Sequence, residues 1–461
     1  MHSKTNQRKD DRLKFKNTIL YEECLDDGLF GPAVMANTFD IGAQGIGFYA
    51  NKEFKIHAKL RVTCYISNTE RITFIVSVVR IQLYKSSPLQ YFIGTVIENI
   101  DETDKEKLKL FLQEINIFSL LENINLDNVM DIHFMAGYPI VLKRIGKLKT
   151  VGKVLDEYTV KNLLLNLLDD VSYARFMKSK DVNFLIPYKE KRLRFNMHFQ
   201  QGKIEAVCRI VNAKIPTPSQ LGLPAITESL IKNYTKGLIL IAGRTGAGKT
   251  TTLASLIAYL NKIINGVIIS IEDPVEYIQE KGQCIIKQRE LGRDTFSYAS
   301  ALRNALRQNP DVLIIGEVLD GETMELVLTA AESGTLVITT IHSASVTQVL
   351  DRITSFFPIE AQKHVLTRLS LILKGIIVQE LFPSLIGNES LALATEVMLV
   401  TDTGKKIIRE GDWKSIPDYI LRGKSQGMVS MKDSIENLVN KGIIDIGYSK
   451  EFLQAQPHIY S

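Results

Sequence analysis

A chain of 461 residues, 45% apolar and 23% charged, is long enough for roughly three domains with real cores, which excludes a disordered or fibrous protein. A formal charge of +5 is mild for that length and gives no reason to expect nucleic acid, and no run approaches the ~18 uninterrupted apolar residues of a membrane span. The first twenty residues are polar and charged where a secretory signal would be apolar, and Cys24, Cys64, Cys208 and Cys284 are scattered without a C-x-x-C pair, so a cytosolic protein with neither a zinc cluster nor a disulfide framework is expected.

The first sixteen residues carry Lys4, Arg8, Lys9, Arg12, Lys14 and Lys16 against Asp10 and Asp11, a basic arm whose simplest reading is a solvated tail. Period-two alternation follows between about Leu60 and Asn99, with Val62, Cys64 and Ile66, then Ile72, Phe74, Val76 and Val78, then Tyr91 to Ile97, which predicts antiparallel strands. Asp101-Glu-Thr-Asp104 reads as the cap of a helix whose Leu108, Phe111, Leu112 and Ile115 share one face, so a small β-domain is expected over 1–116. Strand-like pieces at Arg192–Phe199 and Ile204–Val211 with a helix around Val160–Leu168 suggest an α+β unit over 117–222. Between Asn212 and Pro224, three prolines and a glycine in thirteen residues suit no regular element and read as a linker. From Gly237 to about residue 380 strand and helix patterns alternate, the sign of a mostly parallel sheet wrapped by helices, with a largely helical tail after it; this third domain is expected over 223–461.

Within that domain the apolar run Gly237–Gly243 leads into Gly243-Arg-Thr-Gly-Ala-Gly-Lys249-Thr250, which fits G-x-x-x-x-G-K-[ST], and a helical segment Thr251–Leu260 follows. Glycines let several backbone N–H groups converge on phosphate, the helix N-terminus adds partial positive charge, and lysine supplies a full one. Gly243, Arg244, Thr245, Gly246, Ala247, Gly248, Lys249, Thr250 and Thr251 are therefore the candidate ATP contacts, with the Thr250 hydroxyl offered to Mg²⁺. A second strand, Val267–Ile271, delivers Glu272-Asp-Pro-Val-Glu276 at its carboxyl end, where α/β folds place ligands. A third, Asp311-Val-Leu-Ile-Ile-Gly316, delivers Glu317, the first choice for orienting the attacking water and, directly or through water, a candidate Mg²⁺ ligand. A fourth, Gly334 to Ile341, ends in His342, placed to sense a γ-phosphate; taken alone, it would more often be structural.

Together these pieces resemble the secretion-type ATPases and most closely the type IV pilus retraction ATPases (PilT-like), over about residues 125 to 450. In that family's terms Gly243–Thr250 looks like the Walker A loop, Ile271–Glu276 the Asp box, Asp311–Glu317 an atypical Walker B and Glu332–His342 the His box, and Ile215–Pro224 repeats the family's linker wording. The resemblance implies a RecA-like P-loop ATPase with a parallel sheet, preceded by an α+β PAS-like domain, assembled as a homo-hexamer. It implies catalytic roles for Lys249, Glu276, Glu317 and His342, and places Arg194 and Arg209 where the family donates arginines to the neighbouring subunit's nucleotide; solvated face charges are the plain alternative. It also implies an inner-membrane pilus platform protein as mechanical partner, and so a cytoplasmic protein held peripherally at the inner membrane. No tetracysteine module is present, and Gly404-Lys-Lys-Ile-Ile-Arg409-Glu410 resembles the retraction family's A-I-R-N-L-I-R-E element at its Ile408-Arg409-Glu410 end, which favours retraction. Leu319, where an arginine is common, and the altered first half of that element depart from the pattern.

Arg8-Lys-Asp-Asp-Arg12 has R-x-x-x-R spacing and Asp40-Ile-Gly42-Ala-Gln-Gly45 nearly fits [DN]-x-S-x-x-G, ahead of the β-rich stretch; together they look like a PilZ domain, a small β-barrel that receives cyclic di-GMP. A basic arm can wrap a doubly phosphorylated planar ligand, with guanidinium groups pairing phosphate and stacking on guanine. Arg8, Arg12, Asp40, Gly42 and Gly45 are the candidate cyclic di-GMP contacts, Gly42 standing where the family has serine. The leading expectation is a cyclic di-GMP-responsive retraction motor. The alternatives are an assembly or type II secretion ATPase, and a cyclic di-GMP receptor whose ATPase module only scaffolds.

Overall fold

Alternating apolar residues close the first part of the chain into a barrel. Its strands in the computed structural model are β1 (Leu13–Lys14), β2 (Thr18–Glu23), β3 (Val34–Gly42), β4 (Gly45–Ala50), β5 (Lys59–Tyr65), β6 (Arg71–Ser86) and β7 (Leu89–Ile100). They pair antiparallel in the order β3-β2-β5-β6-β7-β4, and β4 returns to β3, so six strands form a closed ring with β1 added to β3. Closure leaves few edges exposed to other chains. Ile19, Phe48, Leu60, Val62, Ile72 and Val76 point inward and are fully buried. Helix α1 (Glu102–Glu114), capped by the Asp101 carboxylate on the Thr103 N–H, packs Leu108 and Phe111 into the same core. The alternation between Leu60 and Asn99 is seen as β5 to β7; β2 to β4, with less regular alternation, complete the ring.

The structure describes residues 13–450 apart from 16, 26, 68, 87, 123, 127–128, 145–146, 387–389 and 448–449, so Arg8 and Arg12 lie outside the described residues. By packing density the chain divides into two compact units, 1–211 and 212–461.

The first unit holds a second sheet as well as the barrel. After α2 (Ile117–Glu122) come β8 (Val129–Phe134), β9 (Ile140–Arg144), β10 (Lys147–Val151), α3 (Glu157–Leu165), α4 (Asp170–Ser179), β11 (Asp181–Tyr188), β12 (Lys191–Gln200) and β13 (Lys203–Asn212). The strand order is β10-β9-β8-β13-β12-β11. Val160, Leu163 and Leu164 of α3 share a core with Phe134, Phe195 and Met197, while alternate residues of β12 and β13, Arg194 and Arg209 among them, point to the other face.

The second unit begins with the proline-rich stretch, which is not slack. Thr217 N–H bonds Gln220 Oε1 at 2.9 Å, Leu223 N–H bonds Pro218 O at 3.1 Å, and Leu223 is buried. Then follow α5 (Ala225–Asn233), β14 (Gly237–Ala242), α6 (Lys249–Ile263), β15 (Val267–Glu272), β16 (Ile285–Glu290), α7 (Tyr298–Leu306), β17 (Val312–Ile315), α8 (Gly321–Glu332), β18 (Leu336–Ile341), α9 (Val346–Ser355), α10 (Ile359–Ile372), β19 (Leu373–Pro383), β20 (Leu391–Leu399), α11 (Asp402–Glu410), α12 (Ile416–Arg422) and α13 (Met431–Asn440). The sheet runs β16-β15-β17-β18-β14-β19-β20, parallel except that β20 is antiparallel to β19. Every residue of β14, β17 and β18 is buried, as expected for strands covered on both faces. The largely helical tail, α11 to α13, is preceded by a nine-residue strand that the sequence did not announce: β20 adds antiparallel to β19 and sends Ala392, Ala394 and Met398 into the core.

Candidate active site

The carboxyl ends of β14, β15, β17 and β18 converge on one place, and each carries a polar group picked out by the sequence. The loop after β14 is shaped by its glycines. A Cβ on Gly243 would lie 2.6 Å from Gln379 O and 2.8 Å from the Ala247 Cβ, while Gly246 and Gly248 both have φ of +84°, a region side chains disfavour. Gly248 then starts α6, so Lys249 and Thr250 stand on its first turn, where unpaired N–H groups and the helix dipole favour an anion. Arg244, Thr245 and Gly246 are exposed on the lip of the loop and Ala247 is buried beneath it. Thr251 Oγ1 lies 3.0 Å from the Tyr277 hydroxyl, tying α6 to the segment after β15.

Lys249 is buried, and its ammonium donates to Gly243 O at 2.9 Å and Arg244 O at 3.1 Å and to His342 Nδ1 at 3.1 Å. Burial pushes its pKa down, while the carboxylates of Glu317 and Glu380 pull it back up. His342 Nε2 stands 2.6 Å from Glu317 Oε1. Burial, then the charge of Lys249, lowers the pKa of His342 against the pull of Glu317. A neutral imidazole with Nδ1 accepting from Lys249 carries its proton on Nε2, the nitrogen nearer Glu317. The approach to Glu317 is close without being aligned, so Glu317 Oε1 remains a buried acceptor that no well-directed donor satisfies. Such an atom is costly unless something else fills the site.

Glu317 is held firmly from the backbone. Gly316 N–H bonds Ile271 O at 2.7 Å, Thr340 Oγ1 bonds Gly316 O at 2.6 Å, and Val318 N–H bonds Thr340 O at 3.0 Å, so β15, β17 and β18 all fix the turn that carries it. At the end of β15 the buried acid is Glu272, which accepts from Ser270 Oγ at 2.8 Å and Gln288 Nε2 at 3.1 Å; burial raises its pKa and these two bonds oppose the rise. Glu276 is half-buried in the segment that follows.

The structure thus brings together the loop 243–251, Lys249, Glu317 and His342. Arg194 and Arg209 lie in the other unit; Arg209 Nε bonds Asp131 Oδ1 at 2.9 Å. Asp40, Gly42 and Gly45 lie on the β3–β4 hairpin, with Gly42 paired to Gly45 across the turn and Asp40 Oδ1 2.6 Å from where a Cβ on Gly47 would lie. Sequence reasoning missed Gln379, whose Nε2 donates to Ala247 O behind the loop, Glu380 beside it, and Glu396, which accepts from Val346 N–H at 2.8 Å just after the His342 segment. The available signal was polar residues interrupting otherwise apolar strands.

Cations, converging N–H groups, an exposed glycine lip and an unsatisfied buried acceptor suit a magnesium nucleotide: the loop and Lys249 would hold its phosphates, and Thr250 with Glu317 its metal. Bound Mg²⁺ would neutralise charge on the phosphates. Among the described residues no helix is long and apolar enough to cross a membrane, and no cluster of His, Cys, Asp and Glu forms a metal site by itself.

The family model for type II/IV secretion system proteins matches residues 162–413. The type IV pilus ATPase PilU of Pseudomonas aeruginosa is 37% identical over 316 residues, 68% of this chain and 82% of that protein. The type IV pilus retraction ATPase PilT of the same organism is 34% identical over 325 residues, 70% of this chain and 93% of that protein. A crystal structure of the pilus retraction motor PilT with bound ADP superposes with a TM-score of 0.64 at 34% identity, covering 72% of this chain and 95% of that one.

Proposed function

The chain belongs to the type II/IV secretion system protein family and is an ATPase of that family, and from that premise we propose that it is the hexameric motor of type IV pilus retraction, with an N-terminal domain that responds to cyclic di-GMP. The observation that carries the reading is the contact chain Lys249–His342–Glu317 beneath the glycine loop. In this reading Lys249 is the phosphate-binding cation, His342 the group that registers the last phosphate and Glu317 the carboxylate that orients water, each in close contact with the next.

In this reading the loop 243–248 and Lys249 hold and orient the phosphates, and Glu317 positions the attacking water and accepts its proton. Glu276 supports that water from the segment after β15. His342 reports departure of the terminal phosphate to α9, which starts four residues later. Arg194 and Arg209 are donated to the nucleotide of a neighbouring protomer, making hydrolysis depend on assembly. The mechanical load is an inner-membrane pilus platform protein, which keeps a cytoplasmic protein at the membrane periphery. Arg8, Arg12, Asp40, Gly42 and Gly45 form the cyclic di-GMP site, the hairpin presenting Asp40 and the arm closing over the ligand. Support comes from the similarity to PilU and PilT, and from the closed barrel that carries Asp40 on a glycine hairpin.

The test is ATPase rate against enzyme concentration, with and without cyclic di-GMP. A rate per protomer that rises with concentration and changes with the dinucleotide is expected; turnover independent of both would remove assembly and regulation from the reading. A deletion strain should carry surplus, immobile pili. Absence of pili would instead assign the chain to assembly.

A further inference from the structure

The strand next to the phosphate loop turns a buried amide toward it. β19 pairs in parallel with β14, Ala242 beside Val378, so Gln379 is the first residue of β19 to run past the end of β14. Its side chain is buried and passes behind the loop: a Cβ on Gly243 would lie 3.4 Å from Gln379 Cγ, and one on Gly248 would lie 3.3 Å from Gln379 Nε2. Nε2 donates to Ala247 O. Oε1 is buried as well, and among the described residues it has no hydrogen-bond partner. A leucine or methionine would fill this interior position without leaving an oxygen unpaired, so packing alone does not call for an amide here. What the amide supplies is a donor to one carbonyl of the loop.

That bond fixes more than the carbonyl. In a trans peptide the C=O and N–H point in opposite directions, so an Ala247 C=O turned inward to Gln379 sends the Gly248 N–H outward. The neighbouring Ala247 N–H is already engaged, on Arg244 O at 3.1 Å, whereas the Gly248 N–H meets no acceptor among the described residues. We propose that Gln379 is a positioning residue of the phosphate loop: it holds the peptide between Ala247 and Gly248 so that the Gly248 N–H faces the phosphate. The inference rests on the nucleotide reading of the loop and adds to it a residue outside the glycine motif, 132 positions beyond Ala247. Glycine accepts either sign of φ, so without an anchor this peptide unit turns over at little cost. Gln379 removes that alternative before the ligand arrives, and the ordering is then not charged against binding.

The experiment is titration calorimetry of Mg·ADP binding to the full chain, wild type and Gln379→Met, with thermal unfolding alongside and deuterium exchange resolved to the Gly248 amide. Gln379→Met keeps the length of the side chain and removes both the donor and the unpaired oxygen. It should bind Mg·ADP roughly tenfold more weakly, the effect of one misdirected hydrogen bond to phosphate, with a Tm close to that of wild type. KM for Mg·ATP should rise by a similar factor with kcat nearly kept, since the bond serves ground state and transition state alike. In wild type the Gly248 amide should exchange readily without ligand and be protected by Mg·ADP; in Gln379→Met that protection should fall. Wild-type affinity in a folded Gln379→Met protein would overturn the proposal while leaving nucleotide binding intact. So would a Gly248 amide that exchanges equally with and without Mg·ADP, a result read on wild type alone and independent of whether the variant folds. Absence of any Mg·ADP binding to wild type would overturn the nucleotide reading, and this inference with it.

Discussion

The ammonium of Lys249 lies 3.1 Å from Nδ1 of His342, so the loop's cation and the polar end of β18 are joined without any ligand. Phosphate oxygens arriving at the loop compete for the same ammonium, and the imidazole is released from it. Lys249→Ala should therefore lose both Mg·ADP affinity and turnover. Glu317→Gln should keep affinity and lose turnover alone, each by on the order of 10²-fold or more. Steady-state ATPase assays, with calorimetry and thermal unfolding as controls, check this. Full activity in either variant would remove its residue from the catalytic set.

The glycines of the loop separate two kinds of constraint. A methyl on Gly243 meets Gln379 O at 2.6 Å and the Ala247 Cβ at 2.8 Å, so backbone must move. Gly246 has φ of +84° but open space around it, so Gly246→Ala bears conformational strain of about 1–2 kcal/mol and no clash. Gly243→Ala should abolish nucleotide binding, whereas Gly246→Ala should weaken it moderately. Comparable Kd values for the two would show that space around Gly243 does not shape the loop.

The loop, the strand-end acids and the layered architecture were legible because they are local. An apolar run, a glycine turn and an amphipathic helix declare themselves within twenty residues, and the proposed roles of Lys249, Glu317 and His342 follow from strand ends in one layer. What escaped was set by non-local pairing. Nothing near Gln379 or Glu380 in the sequence says that β19 lies beside β14, and nothing near Glu396 says that its partner is Val346, fifty residues earlier. β2 to β4 of the barrel were equally hidden, since their burial alternates only in part and the ring closes through β3–β4 pairing.

Arg209 offers a test of chemistry shared between protomers. Its guanidinium is about half exposed and bonds the buried Asp131, with Lys143 Nζ 3.9 Å from the other carboxylate oxygen. If Arg209 also serves a neighbour's nucleotide, Arg209→Ala should lose turnover on the order of 10³-fold with nucleotide affinity largely kept. Mixing Arg209→Ala with Lys249→Ala should then restore measurable activity, because an intact pocket on one protomer meets an intact arginine on the next. No recovery on mixing, in variants that still co-assemble, would confine Arg209 to its pairing with Asp131.

Glu396 sets a pH dependence of stability whose sign is fixed by burial. The carboxyl is buried and accepts the Val346 N–H at 2.8 Å, and burial, the largest influence, pushes its pKa from 4.5 up to about 7, the backbone bond opposing the rise. Native protein keeps this proton up to about pH 7, whereas the unfolded chain releases it near 4.5. Across that window the native state binds more protons, so stability falls as pH rises and stays low above it. A shift of this size corresponds to about 3 kcal/mol. Glu396→Gln keeps an oxygen for the Val346 N–H and removes the charge. Its Tm should therefore exceed that of wild type above about pH 7 and converge with it, or fall below it, near pH 5. Parallel Tm profiles for the two proteins would show that Glu396 does not titrate in this window, and that the start of α9 is held by an ordinary carboxylate.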